Sequence, residues 1–401
     1  MALTPDRGFP VIFGHAVPAD AERGSGKAIQ LRVFVHAVAA RKGKEGGATL
    51  LIHETARALV EAAPHHEYVF CLDASLEIDL PEEVRRIDAP LKNAYERLKW
   101  DNHSYSEILV REGADISLAL LGYGAMRPPV PRVCMLPDST YFCRFAGFNR
   151  SLTARALIRA RAQLLRRVAM SSAVLVVPSQ AMADGVAADY GLRVPIKLLR
   201  YGSDAEHVEP SAKPWDEPVR ILYVSQLQPH KAHINLVPLA RALEDMDLDF
   251  EITICANPAD NPRLAAQLKD AMRTRGISGR FRNLADLPRS DLDRLFGESD
   301  CFVYPSLCES FGFPMIEATS AGMPVVAAGT AINREMLGPG AFYFPPLEPE
   351  AGAEKIRQLA DNGLERAEMV VQAQRHQERI LPSWKQYGEE LVEIIEAAAS
   401  H

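Results

Sequence analysis

The sequence predicts an α/β protein built as two doubly wound domains facing across a cleft. Three observations carry that expectation. Short apolar runs of strand length alternate with longer amphipathic segments along most of the chain, the pattern of a parallel sheet covered by helices on both faces. The alternation stops once, at a polar stretch carrying Pro210, Pro214 and Pro218, and then restarts. The 401 residues suffice for two domains that each bury a core.

The elements follow in order. Residues 1–29 read as an extension ahead of the first sheet. LRVFVHAV, residues 31–38, reads as the first buried strand, and the glycine-bearing loop ARKGKEGG follows it. A helix runs from about Ala48 to Ala63, and YVFCLD is the next strand. A single helix covers roughly residues 93–111 and stops at Gly113. Residues 115–121, RVCML, SAVLVVPS and IKLLRY are further apolar runs that complete a first domain over residues 1–200. Residues 201–218 read as a linker, because prolines among polar residues disfavour regular structure. In the second domain, residues 219–382, VRILYVS, FEITICA, DCFVYPS and PVVAA are strands. NLVPLARAL, residues 262–275 and PMIEATSA are helices, the last closed by Gly322. A final helix within residues 383–401 carries Trp384, Leu391, Ile394 and Ile395 on one side, which packs back on the body.

Composition narrows the function. A net charge of −7 and a pI near 5.9 argue against a general nucleic-acid surface. The six cysteines show no CxxC spacing and mostly sit in apolar runs, so reduced thiols are expected. The N-terminus lacks a basic segment followed by a long apolar core, and no apolar run is long enough to span a bilayer. A cytoplasmic protein is the expectation. In RSLTARALIRARAQLLRRV, Arg155, Arg159 and Arg166 share one helical face, while Leu157, Leu164, Leu165 and Val168 gather opposite. A domain helix with its arginines in water is favoured. The alternative is peripheral contact with the inner membrane face, which would matter for a lipid-linked acceptor. The oligomeric state is not readable.

Two stretches can carry chemistry. In DCFVYPSLCESFGFPMIEATSAGMPVVA a strand ends at Tyr304, a loop carries Glu309, Phe311 and Gly312, and Pro314 opens a helix with Glu317 in its first turn. A helix N-terminus suits a phosphate, and carboxylates beside it suit sugar or ribose hydroxyls. The bland alternative makes Glu309 a solvated loop acid and Glu317 a dipole-matching one. In ILYVSQLQPHKAHINLVPLARAL a strand runs into a loop that places Lys231 near a helix start, again fitting a phosphate. An isolated lysine in a polar loop is more often only exposed.

In this order and on these elements, the two stretches resemble the retaining glycosyltransferases of GT-B architecture (glycosyl transferases group 1, family 4), whose two Rossmann-like domains face across a cleft. Glu309 and Glu317 match the family's paired glutamates, with seven residues between them. ESFGFPMIEA is similar to its E-G-F-G-L-P-x-x-E-A, and GMPVVAAGTAINREMLG to its G-x-P-V-V-A…E…G. SAVLVVPSQAMADGVAADYG resembles its A-D-x-V-I-x-x-S strand and helix, and Tyr201 to Asp204 stand at its N-G-V-D turn. The resemblance covers about Leu31 to Leu391. It implies transfer of a sugar from a UDP- or GDP-linked donor to a sugar-containing or other hydroxyl acceptor, with retained configuration and no metal or cofactor. It implies catalytic roles for Glu309, Lys231 and Asp138. Glu309 would meet the donor sugar's hydroxyls, Glu317 the ribose and Lys231 the diphosphate. Gln226, Ser310, Phe311, Gly312, Phe313, Gly46 and Gly47 would complete the donor pocket.

The sequence departs from the family twice. Gln226 stands where an arginine is usual, and Pro137 where a histidine precedes Asp138; His36 and His103 are the candidate substitutes. Two alternatives remain: a GT-B-fold nucleotide-sugar epimerase, or a binding protein that kept the pocket and lost transfer. Gly24 to Lys27 fails as a P-loop because Ala28 follows the lysine. His230 and His233 have helical metal-pair spacing without a third ligand, and His65 and His66 read as a solvated helix end.

Overall fold

The computed structural model describes residues 30–42, 46–190 and 194–400. The expected extension over residues 1–29 lies outside them.

The first domain holds β1 (Arg32–His36), α1 (Gly47–Ala62), β2 (Glu67–Asp73), β3 (Val84–Ala89), α2 (Ala94–Asn102), α3 (Ser104–Arg111), β4 (Ile116–Ala119), β5 (Arg132–Met135), α4 (Leu152–Met170), β6 (Val174–Val177), α5 (Gln180–Tyr190) and β7 (Ile196–Leu198). Its strands form one parallel sheet in the order β3-β2-β1-β4-β5-β6-β7. Residues 201–218 then form neither helix nor strand.

The second domain holds β8 (Val219–Val224), α6 (Leu236–Asp245), β9 (Phe250–Cys255), α7 (Pro262–Thr274), β10 (Phe281–Asn283), α8 (Arg289–Glu298), β11 (Cys301–Tyr304), α9 (Phe313–Ser320), β12 (Val325–Ala328), α10 (Ala331–Leu337), β13 (Phe342–Phe344), α11 (Glu350–Asp361) and α12 (Gly363–Ile380). Its parallel sheet runs β10-β9-β8-β11-β12-β13. In each sheet the strand order reverses beside the first strand, at β1/β4 and at β8/β11. Ligands of doubly wound sheets bind outside the carboxyl ends at such points.

The last helix, α13 (Trp384–Ala399), returns to the first domain. Tyr387 bonds Thr55 of α1 at 3.1 Å, and Gly388 lets the helix sit against the backbone of Ala58. His66 is buried, contrary to the solvated helix end expected. Its Nδ1 takes the Leu31 N–H at 3.2 Å and its Nε2 lies 3.2 Å from Glu396 of α13. Burial first, then the neighbouring His65, lowers its pKa.

Other expectations shift for identifiable reasons. Residues 93–111 make two helices rather than one, because the backbone turns at His103 (φ −120°, ψ −74°). β3, whose VRRIDA carries three charges, was not expected; as an edge strand it can turn those charges outward. Leu157 is exposed rather than packed, since the first half of α4 stands off the body and only Leu165, Val168 and Ala169 are buried. No helix of the described residues is long and apolar enough to cross a membrane.

Six thiols were expected, yet Cys143 of the first domain and Cys308 of the second form a disulfide. The other four cysteines are free and buried. A pair separated by 165 residues has no local sequence signature.

Candidate active site in the interdomain cleft

The site is assembled by loops at the carboxyl ends of β1, β8 and β11. β11 delivers Tyr304 to the start of a loop that turns back through Glu309. Glu309 is buried, at 8% exposure, and is therefore not a solvated loop acid. Lys231 donates from Nζ to both its oxygens, at 2.7 and 2.8 Å, and Tyr304 donates its hydroxyl to Oε1 at 2.6 Å. Burial, and then the Glu309 charge, raise the Tyr304 hydroxyl well above its usual pKa, so it stays a donor. Tyr223 of β8 fixes the lysine from below by donating to its backbone carbonyl at 2.6 Å. A charge pair removed from water persists only with such added hydrogen bonds.

Lys231 does not sit at the start of α6. It closes a short 3₁₀ turn, Pro229–Lys231, and a second one, His233–Asn235, intervenes after Ala232 in left-handed backbone (φ 52°). His233 is fully buried, its ring centroid 4.7 Å from that of Tyr223. Burial pushes its pKa down to about 3. His230 is likewise lowered by burial and then by Lys231. Among the described residues, the His, Cys, Asp and Glu grouping close enough to share an ion is His65, His66 and Glu396, so His230 and His233 gain no third ligand.

Gly312 opens α9 in left-handed backbone (φ 89°), and a Cβ there would strike Met315. No side chain caps α9; Pro314 has no N–H and the Met315 N–H bonds the Gly312 carbonyl at 3.0 Å, which leaves the Phe313 N–H as the first donor of the helix end. The helix begins at Phe313, so Pro314 is its second residue and Glu317 its fifth, one position beyond the expected first turn. Glu317 pairs with Arg289 at the start of α8, a partner the sequence reading did not name. Phe311 is buried and Phe313 half-buried against Tyr201, with ring centroids 5.1 and 5.7 Å away. Ser310 is half-buried between them and Glu309 in the chain.

The first domain closes on this loop. The Cβ position of Gly46 (φ 145°) lies 3.4 Å from Gln226 Nε2, and that of Gly47 lies 3.9 Å from the Phe313 ring. Asp138 follows β5, is exposed, and accepts the Thr140 N–H at 2.8 Å, which caps the turn Ser139–Tyr141. It reaches the donor side through neighbours: its charge acts on Arg150, whose Nη2 lies 3.3 Å from His230 Nδ1. His36 is buried and held by Asp101 at 2.8 Å, and His103 marks the α2/α3 break.

The structure therefore gathers Gly46, Gly47, Gln226, Lys231, Glu309 and Gly312 to Phe313 around one crevice. Tyr304, Tyr223 and Arg289 were missed. A tyrosine ending a strand five residues before the loop glutamate is the signal that could have found Tyr304.

Residues 205–377 match the family described as Glycosyl transferases group 1. A D-inositol 3-phosphate glycosyltransferase of Salinispora tropica is 31% identical over 195 residues, which is 45% of this chain but only 39% of that protein. The chain thus spans well under two thirds of that relative. Among solved structures, a sucrose-phosphate synthase from Thermosynechococcus elongatus superposes with a TM-score of 0.73 at 14% identity, covering 92% of this chain and all of that one. Anabaena Alr3699/HepE, in complex with UDP and glucose, superposes with a TM-score of 0.68 at 18% identity, covering 92% and 100%. The fold is GT-B.

Proposed function

We propose that this protein is a retaining glycosyltransferase that moves a sugar from a nucleoside-diphosphate donor to an acceptor hydroxyl. The observation that carries the reading is Lys231 joined to the buried Glu309 beside the uncapped N-terminus of α9, opposite the Gly46–Gly47 loop. A diphosphate fits the lysine and the helix N–H groups. Once it takes Lys231, the Glu309 oxygens face the sugar hydroxyls, with Tyr304 holding the carboxylate in place. Glu317 serves the ribose, sharing it with Arg289. Gln226, Ser310 and the backbone of Phe311 to Phe313 line the remainder.

In the transfer step the bond from the anomeric carbon to the diphosphate oxygen breaks, and the diphosphate leaves with the electron pair. The acceptor oxygen bonds the same carbon from the same face, and its proton passes to the departing phosphate. The lysine charge and helix N–H groups stabilise the negative charge as it develops. Approach of the two domains excludes water that would otherwise hydrolyse the donor. Asp138, beside Arg150, orients the acceptor. The chain's own cations neutralise the diphosphate, so the reaction proceeds without a metal or cofactor. UDP-linked sugars are the first donors to try, followed by GDP-linked ones, and the protein acts in the cytoplasm.

The test is product analysis with UDP- and GDP-sugars, in chelator, with and without acceptors. The expected result is an acceptor-dependent glycoside of the donor's own anomeric configuration. Free nucleotide with a rearranged sugar and no glycoside would identify an epimerase instead, and donor binding without any product would leave a binding protein.

A further inference from the structure

The cysteines of this chain divide into two kinds. Cys71, Cys134, Cys255 and Cys301 are free and buried, and burial raises the pKa of each thiol. Such thiols are inert and serve as small apolar side chains. Cys143 and Cys308 are instead joined, across 165 residues and from one domain to the other. Cys143 stands in the loop after the turn Ser139–Tyr141, and Cys308 directly precedes Glu309. In a chain whose other thiols are reduced, the bond is a covalent tie between the two faces of the cleft. Lone disulfides of that kind are typically transient and redox-sensing.

The tie sits where the faces meet, with the two Cα atoms 5.8 Å apart. Beside it, Arg150 of the same first-domain loop lies 3.3 Å from His230, whose carbonyl accepts the Leu307 N–H at 2.9 Å. Lys231, next in the chain, grips Glu309. The disulfide therefore couples the first-domain loop to the lysine–glutamate pair. Hydrogen bonds and ion pairs between the domains break and re-form when a cleft opens, and a covalent bond does not. Cys308 is buried at 3% exposure while Cys143 is only half-buried, so the Cys143 sulfur is the one a thiolate from solvent reaches. The neighbouring Arg144 is exposed and offers that thiolate a positive charge.

We propose that Cys143–Cys308 is a redox-exchangeable latch: oxidised, it holds the cleft shut against nucleotide entry and release, and reduction by a dithiol lets the domains part. The reductant's thiolate bonds the Cys143 sulfur, the S–S bond breaks, and its electron pair leaves with the Cys308 sulfur, which takes a proton. The reductant's second thiol then displaces Cys143, which takes a proton in turn. The protein gains two electrons and two protons, and the dithiol becomes a disulfide. A small-molecule disulfide reverses the change. The effect on nucleotide exchange rests on the transfer reading above, whereas the thiol chemistry and the change of shape do not.

The experiment compares the full chain after oxidised glutathione and after dithiothreitol, each removed before measurement, beside Cys143→Ser. Thiol titration in denaturant is expected to find four free thiols in the oxidised form and all six cysteines free in the reduced form. A count that does not change between the two treatments overturns the latch. Stopped-flow binding and release of fluorescently labelled UDP, then GDP, should be about tenfold slower or more in the oxidised form, because opening then limits both steps. Cys143→Ser should match the reduced form after either treatment; if it fails to fold, Cys308→Ser takes its place. Equal nucleotide rates in the two forms of the wild type overturn the latch. If neither form binds nucleotide, the transfer reading fails by itself and small-angle scattering decides: a larger radius of gyration in the reduced form supports the latch, and an unchanged one overturns it.

Discussion

Lys231 Nζ meets both Glu309 carboxylate oxygens, so each side chain is positioned by the other. Glu309→Gln keeps an oxygen for Lys231 and Tyr304 while removing the charge. It should therefore fold normally yet lower turnover by on the order of a hundredfold, the scale seen when one preorganised polar group is lost. Lys231→Ala should lower turnover similarly and also cost stability, because it strands a buried carboxylate. Steady-state kinetics beside thermal unfolding separates the two effects; normal turnover in both variants would contradict the assignment. His233 supplies a pH test. Its folded pKa of about 3 lies below the usual 6.5, so the unfolded chain binds the proton more readily. Stability is complete above about pH 6.5 and falls as pH drops toward 3, by up to ~1.4 kcal/mol per unit for this group. His233→Phe should flatten that slope in denaturant titrations between pH 7 and 5, and an unchanged slope would show that His233 does not carry it. The paired glutamates and the lysine were readable because motif spacing fixes them, Glu309 on a loop, Glu317 on the helix after it and Lys231 on a short turn. Tyr223 and Arg289 were not, because their roles depend on which strands and helices become neighbours.

At the scale of elements, the sequence reading found buried strands by their apolar runs and helices by their periodicity. It missed what tertiary contact decides: the α2/α3 break at His103, the charged edge strand β3, and the exposed first half of α4. It expected α13 to pack back on the body through its apolar side. The structure adds that Gly388 makes this approach close, since a Cβ there would run onto the Ala58 carbonyl and backbone. Gly388→Val should destabilise the protein by about 1–3 kcal/mol through overpacking. Denaturant unfolding measures the loss; a neutral result would mean that α13 shifts to make room.

The two domains are tied by contacts that no local pattern announces. Glu335 on α10 accepts the N–H groups of Gln180 and Ala181, at 2.9 and 2.8 Å, and the Arg200 guanidinium at 2.9 Å. An acid of the second domain thus caps α5 of the first, where it meets the positive end of the helix. Its side chain is 15% exposed, and Glu335→Ala should cost about 1–3 kcal/mol by leaving those donors unmet. Glu335→Gln, which keeps an acceptor, should cost less, and equal losses in thermal unfolding would contradict the capping role. The Cys143–Cys308 disulfide joins the domains next to Glu309, where neither cysteine's sequence context foretold it.

The central claim is that the cleft binds a nucleoside diphosphate through Lys231. Calorimetric titration of UDP, GDP, dTDP and ADP and their sugar conjugates against the wild type and Lys231→Ala tests it most directly. Selective binding of one base, strongly weakened in Lys231→Ala, is the predicted result. Binding of none, or binding equally tight in the variant, would contradict the account.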